Sequence, residues 1–257
     1  EEGFISYCGV PLISKGEVKG VLEIFNRHVI EQSEHCFYLL EALSNQMAIA
    51  IDNIQMYEGL RKSLSDLSEA YDATIVGWSR AMDLRDEDTE GHTLRVSKNA
   101  ILLARKMGVS EEDLIHIRRG ALLHDIGKLG IPDRILLKKG SLNSQEWTIM
   151  RQHPNFAFHM LEPITYLRPA LDIPYCHHEK WDGSGYPRGL KGEEIPLSAR
   201  IFAIIDVWDA LSSNRPYRSK WPEEKVLAHI RTLSGKHFDP DVVKAFFAVY
   251  DTLDKID

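Results

Sequence analysis

Cysteine is scarce in this 257-residue chain: Cys8, Cys36 and Cys176 are too few, and too odd a number, for a disulfide framework. Sparse thiols suit a reducing compartment, so a cytoplasmic protein is expected. No apolar run approaches the length of a membrane span, and no secretory leader opens the chain, so no membrane partner is expected. Positive charge is also short. Lys and Arg total 31 against 38 Asp and Glu, a net charge of −7, which argues against a broad surface for a nucleic-acid polymer. Any phosphate must be held locally, by metals or a few arginines. Internal repeats and low-complexity segments are missing as well. What remains is ordinary: 44% hydrophobic and 27% charged residues describe a globular protein with a real core, in one large or two smaller domains. The chain opens at Glu1, without methionine and close to strand-like sequence, and reads as a fragment whose N-terminal part was removed. Histidine is plentiful, with eleven residues, most of them between positions 92 and 178.

Phe4–Ile13 and Val18–Asn26 are rich in β-branched and aromatic residues and predict two strands around a Ser14–Glu17 turn. From about Ser33 to Arg80 the pattern is helical. Leu39, Leu43, Met47, Ile51 and Ile54 recur at helix spacing, and Tyr57, Leu60, Leu64, Leu67 and Tyr71 continue it at roughly heptad spacing. Such a helix often pairs with a copy of itself, so a parallel homodimer through Leu39–Tyr71 is expected. The alternative is a helix lying on its own domain. From Thr74 onward nearly everything reads as helix, broken in Arg85–Glu90. Helices are expected over Thr93–Met107, after a Ser110–Asp113 cap, over Ser141–Gln152 with Ser144 as cap, from Pro154, over Leu197–Ser212, over Glu223–Leu233 and over Asp241–Leu253. The fold class is therefore mainly α with a small α+β segment in front.

The residues that carry chemistry centre on His124-Asp125-Ile126-Gly127-Lys128, set in the apolar run Arg118–Lys128. A carboxylate in such a run needs a partner, and a metal is one. Read as helix, this run puts Lys128 one turn after His124, on the same face. Asp88 and His92 are four apart and meet on one face if their turn is helical. His153 precedes Pro154 at a helix start. His177 and His178 are adjacent, so their side chains should diverge and could serve two different ions. Asp206 interrupts an apolar helix. These are eight N/O donors without a thiolate, a set that suits Fe or Mn better than structural zinc, and too many for one ion. Two or three ions sharing a carboxylate and a hydroxide are the usual apparatus for in-line attack on a phosphodiester. His35, His116, His159, His229 and His237 read as surface, core or structural residues, and Cys8 with His28 makes no persuasive metal or haem site.

The blocks RDEDTEGHTLRVS (85–97), ALLHDIGK (121–128), IPDRILLKKGSLNSQEW (131–147), HP (153–154), HHEKWDGSGYP (177–187), LSARIFAIIDVWDAL (197–211) and RPYR (215–218) resemble the HD-GYP family, a branch of the HD metal-dependent phosphohydrolases. The resemblance covers about residues 74–250. GVPLISKGEVKGVLEIFNR and the helix after it resemble, more loosely, the C-terminal half of a GAF sensory domain. The implied organisation is a partial GAF-like segment over 1–58, a connecting signalling helix over 59–80 and an all-helical HD-GYP phosphodiesterase domain over 81–257. The resemblance implies hydrolysis of cyclic di-GMP to pGpG and on to GMP, by a metal-bridging hydroxide and under control of the sensory segment. It implies His92, His124, Asp125, His153, His177, His178 and Asp206 as metal ligands, with Asp125 bridging. Asp88 replaces a family glutamate and leaves a third ion open. Lys128 is implied at the scissile phosphate beside His124 and Asp125, and Arg215 and Arg218 at substrate phosphates. Tyr186, in the glycine-rich loop, would stack on a base or brace the loop. Asp209, one turn past Asp206, would orient a ligand. A diguanylate cyclase or other signalling protein is an implied partner at the Gly185-Tyr186-Pro187 loop.

Two other readings stay open. One is a hybrid substrate, cyclic GMP-AMP, since base selectivity is not written in these motifs. The other is a non-catalytic module that binds a cyclic dinucleotide. Hydrolysis of nucleoside triphosphates or alarmones would need neither His153, His177-His178 nor the Gly185-Tyr186-Pro187 loop.

Overall fold

The computed structural model describes residues 3–29, 33–86, 91–214 and 219–254. It divides into two units, Glu1–Tyr71 and Asp72–Asp257, and the boundary falls within one continuous helix. The protein is mainly α, with a single two-stranded sheet among the described residues.

In the first unit β1 (Ser6–Ser14) and β2 (Glu17–Asn26) pair antiparallel, from Ser6 opposite Asn26 to Ser14 opposite Glu17. Lys15 and Gly16 form the turn with φ of 51° and 82°, the left-handed pair that a two-residue hairpin demands. Helix α1 (Glu34–Asp86) follows. Lys15 and Lys19 reach Asp52 on this helix at 2.8 and 3.3 Å, and Leu12 and Ala48 are buried. Much of the apolar surface of this unit stays exposed, including Phe4, Tyr7, Val21 and Phe25 on the hairpin.

Helix α1 runs past Arg80 to Asp86. Its last turns are held in the second unit by burial of Ile75 and Met82. Arg85 adds hydrogen bonds to the carbonyls of Leu129 and Ile131 at 2.9 and 3.0 Å and an ion pair with Asp133 at 2.8 Å. The other helices of the second unit are α2 (His92–Lys106), α3 (Glu111–Leu122), α4 (Asp133–Leu136), α5 (Ser144–Met150), α6 (His153–Leu161), α7 (Asp172–Cys176), α8 (Leu197–Ser212), α9 (Glu223–Thr232) and α10 (Pro240–Val249). Local signals set several boundaries. Ser110 caps α3 by accepting from Asp113 N, and Asp239 caps α10 by accepting from Asp241 N. Helix α5 is capped by Asn143 rather than Ser144, because Asn143 and Glu146 complete a reciprocal capping box.

Of three apolar clusters among the described residues, the two larger organise this unit. The first joins α2, α3, α8, α9 and α10 around Phe202, Trp208, Phe238 and Phe246. The second joins Ile75, Leu122, Leu123, Ile126, Ala157, Leu161 and Leu167. Ala121 belongs to the first cluster, and Leu122, Leu123 and Ile126 to the second, so His124 and Asp125 sit on the seam between them. No helix among the described residues is long and apolar enough to cross a membrane.

Candidate metal centre

Five separate stretches deliver the donors. His92 opens α2 directly after Gly91, the left-handed N-cap with φ of 77°. His124 and Asp125 lie in the turn where α3 gives way to a 3-10 segment, Ile126–Gly130. His153 opens α6, held by Pro154. His177 and His178 follow α7, and Asp206 sits inside α8. They converge into two groups: His92, His124 and Asp206, and Asp125, His153, His177 and His178. Within each group one donor atom per residue lies within 4.8 Å of the others. Asp125 faces both. Its Oδ2 is 3.0 Å from His124 Nε2, while its Oδ1 is 3.4 Å from His153 Nε2 and 3.8 Å from His177 Nε2.

The ring tautomers are set from behind. His124 Nδ1 donates to Ala121 O at 2.8 Å, His153 Nδ1 to Met150 O at 2.9 Å and His177 Nδ1 to Ile173 O at 2.9 Å. His92 Nδ1 donates to the buried Asp209 carboxylate at 2.6 Å. In each neutral ring the proton is thus on Nδ1 and the lone pair of Nε2 points into the centre, the arrangement that metal-binding histidines use. His153 Nε2 and His177 Nε2 are 3.4 Å apart with both protons elsewhere, two lone pairs facing each other. His124 Nε2 is buried and makes no hydrogen bond among the described residues, although the Asp125 carboxylate stands 3.0 Å away. Facing lone pairs and an orphaned ring nitrogen next to carboxylates are relieved by cations, so this donor set fits divalent ions.

Electrostatics divide the rings: burial acts to lower His124, but the Asp125 carboxylate outweighs it and raises its value. Burial, aided by His153, pushes His177 down to about 3. Burial also holds His178 well below and His153 below the ordinary imidazole value, so all three are neutral and ligand-competent near pH 7. Burial acts to raise Asp125, but the charges of Lys128 and His124 outweigh it and keep the carboxylate ionised. Burial likewise opposes ionisation of Asp206, and the His92 contact with the neighbouring histidine charges wins. Burial acts to lower Lys128, yet Asp125 at 2.8 Å and Asp86 beside it raise its pKa above the ordinary lysine value.

Several sequence expectations need correction. The doublet is in a turn, not on a helix. Helix α3 ends at Leu122, so Lys128 pairs with Asp125 three residues back instead of sharing a face with His124. His177 and His178 do not diverge. Because α7 ends at Cys176, their rings lie 4.0 Å apart and serve one group. Asp88 lies outside the described residues, as do Arg215 and Arg218. Tyr186 lies on His178, ring centres 4.7 Å apart. His116, His159, His229 and His237 belong to neither group.

Comparison with known families matches residues 78–242 to the HD domain, and residues 1–51 to the GAF domain. The chain belongs to the HD-domain family. The curated relatives carry names that speak of cyclic dinucleotides. A cyclic di-GMP phosphodiesterase of Thermotoga maritima is 48% identical over 64% of this chain and 45% of that protein. The 3′3′-cGAMP-specific phosphodiesterase 2 of Vibrio cholerae is 35% identical over 86% of this chain and 41% of that protein. A cyclic di-GMP phosphodiesterase response regulator of Xanthomonas campestris is 36% identical over 88% of this chain and 60% of that protein. The chain thus spans about half the length of these relatives. Among solved structures, a cyclic GMP-AMP specific phosphodiesterase of V. cholerae aligns with a TM-score of 0.55 at 19% identity, over 69% of this chain and 48% of that one. An HDG"Y"P protein of Bdellovibrio bacteriovorus aligns at 0.51 and 21%, over 62% and 51%. Both likenesses show the HD fold.

Residues beyond the donors also shape the site. A Cβ on Gly127 would stand 1.9 Å from His153 O, so only glycine lets the doublet segment pack against the start of α6. A Cβ on Gly185 would stand 2.4 Å from Lys180 N. Glu179, almost wholly buried, accepts from Arg188 N at 2.7 Å and Leu190 N at 3.0 Å and folds the glycine-rich loop back on itself. Arg95 holds Asp209 through Nε and Nη2 at 2.5 and 2.9 Å, completing an Arg95–Asp209–His92 relay. Asp86 pairs with Lys128. Gly127, Gly185, Glu179, Arg95, Asp209 and Asp86 all lie inside the quoted motif blocks, but no local pattern marked the contacts they make.

Proposed function

We propose that this HD domain is a cyclic-dinucleotide phosphodiesterase that opens cyclic di-GMP to pGpG and carries it on to GMP where a third ion is held. The observation that carries the reading is Asp125 facing two ligand groups at once, with the Lys128 ammonium against the same carboxylate. His92, His124 and Asp206 would hold one ion and His153, His177 and His178 another, with Asp125 within reach of both groups. Donors of nitrogen and oxygen without thiolate favour Fe or Mn. Divalent ions bound there supply Lewis acidity to phosphoryl oxygens and acidify water toward neutral pH.

The chain's own residues supply the rest. The four relayed imidazoles keep their lone pairs aimed inward without reorganising. Lys128 stays charged and offsets negative charge growing on the phosphate. Asp86 keeps its ammonium from swinging away. Arg215 and Arg218 suit the remaining phosphate oxygens through bidentate contacts. Asp88 is the candidate for the third ion. The organisation proposed is a GAF-like segment over 1–58, a signalling helix over 59–80 and the phosphodiesterase domain over 81–257, working in the cytoplasm and open to signalling partners at the Gly185-Tyr186-Pro187 loop.

The relatives named for cyclic di-GMP support this substrate. The V. cholerae relative named for 3′3′-cGAMP keeps the hybrid dinucleotide as the second reading. The test is turnover by the metal-loaded protein of cyclic di-GMP beside 3′3′-cGAMP, with pGpG and GMP resolved chromatographically. Asp125→Ala should lower kcat by at least about 1000-fold and empty at least one metal position. Failure of the fully metallated wild type to hydrolyse either dinucleotide would overturn the reading.

A further inference from the structure

A ladder of flat groups leads away from the metal centre. Tyr186 lies on His178, a donor of the second group, with 31° between ring planes. The Arg151 guanidinium stands 5.4 Å from the Tyr186 ring centre and 5.9 Å from that of Trp147. Trp147 and Arg151 share a face at the end of α5, where Arg151 N donates to Trp147 O at 2.9 Å. Two residues later His153 enters the metal centre, so this face is tied to the site. Trp147 is 46% exposed, and Arg151 is exposed as well. Among the described residues no carboxylate pairs with Arg151, although acidic residues outnumber basic ones in the chain. The 5.9 Å spacing puts the guanidinium at the limit of contact and leaves indole surface open.

An open indole face beside an arginine with an unpaired fork is the chemistry of a purine subsite. The indole offers stacking to any base. The fork matches two acceptors side by side, and guanine presents them as O6 and N7, whereas adenine replaces the first with an amino donor. We propose that Trp147, Arg151 and Tyr186 form a guanine subsite of the dinucleotide substrate, in which Trp147 stacks on the base, Arg151 donates to O6 and N7, and Tyr186 backs the guanidinium. This rests on the cyclic-dinucleotide reading. Arg151 is a specificity residue, and its effect is confined to substrates that carry a base.

The test uses the metal-loaded protein and bis(p-nitrophenyl) phosphate, a phosphodiester without a base, with cyclic di-GMP and cyclic di-AMP as competitors. Arg151→Ala should raise the inhibition constant of cyclic di-GMP about tenfold or more while that of cyclic di-AMP moves less than about threefold. Turnover of bis(p-nitrophenyl) phosphate should stay within about twofold, because the subsite acts only on bases. Trp147→Ala should weaken both dinucleotides by similar factors, since a π-face does not distinguish purines. Equal weakening of both dinucleotides by Arg151→Ala would make the arginine a phosphate contact and overturn the assignment, as would no weakening of either. Loss of bis(p-nitrophenyl) phosphate turnover by both Arg151→Ala and Arg151→Gln would show a structural role and overturn it too. A wild type that cleaves bis(p-nitrophenyl) phosphate but binds neither dinucleotide would instead remove the cyclic-dinucleotide reading itself.

Discussion

At the scale of single residues, the candidate centre is decided as much by what lies behind each donor as by the donor. Four imidazoles spend Nδ1–H on an acceptor, three on carbonyls of their own local turn and one on Asp209. The carbonyl cases rest on backbone that no side-chain substitution removes. His92 differs, because its acceptor is a carboxylate held by Arg95. Asp209→Asn keeps the shape of the group and removes its charge. It should lower affinity at the position served by His92 about 10- to 100-fold while leaving the fold intact, which metal titration calorimetry beside circular dichroism would check. Unchanged affinity would reduce Asp209 to a packing residue.

At the scale of elements, the junction between the 3-10 segment and α6 is the tightest. Gly127→Ala would drive a methyl into His153 O, and backbone, unlike the tip of a side chain, has little room to yield. The expected outcome is displacement of His153, with metal content falling by about one ion per chain and Tm dropping by several degrees, as seen by elemental analysis and calorimetry. A protein with full metal content would contradict it. Helix α1 makes a different demand. Leu39, Leu43, Tyr57, Leu60, Leu64, Leu67 and Tyr71 are all about half exposed or more, an apolar seam at heptad spacing on an element that cannot bury it alone. A parallel homodimer through this seam is expected. Leu60→Glu with Leu64→Glu should convert it to monomer in sedimentation equilibrium, and a wild type that sediments as monomer at high concentration would remove the proposal.

For the whole molecule, the buried imidazoles, those of the centre and His237 outside it, are a burden when no ion is bound. His177, lowered to about 3, and His237, lowered to about 4, both mainly by burial, stay neutral in the native state at pH values where an unfolded chain takes up protons. Above the unfolded value of about 6.5 both states are neutral and nothing is lost; as pH falls below it, the unfolded state binds more protons and native stability declines. The raised value of His124 works the other way, but His153 and His178 add to the loss. Metal-free protein should therefore lose at least several degrees of Tm between about pH 7 and pH 5. Restoring divalent ions at pH 7 should raise Tm, because ions that bind only the native state stabilise it by mass action. A Tm of the metal-free protein that is flat across this range would contradict the burial of these rings.

Much was legible from the sequence alone. Alternation and turn residues predicted the hairpin, apolar spacing predicted α1, α2 and α8, and Ser110 announced a helix start, because each of these is a local property of neighbouring residues. The donors could be nominated one by one for the same reason: a histidine beside a proline, or a carboxylate in an apolar run, needs explaining wherever it stands. What no local pattern contains is convergence. His92 and Asp209 are 117 residues apart, and only the packing of α2 against α8 makes them partners. The turn that ends α3 early, the shared orientation of His177 and His178 and the clash that forbids a Cβ on Gly127 follow from close-packed neighbours distant in sequence. Residue chemistry by itself determined which side chains could hold a metal. Tertiary structure decided which of them meet, because a lone pair is aimed by the backbone and carboxylate behind its ring.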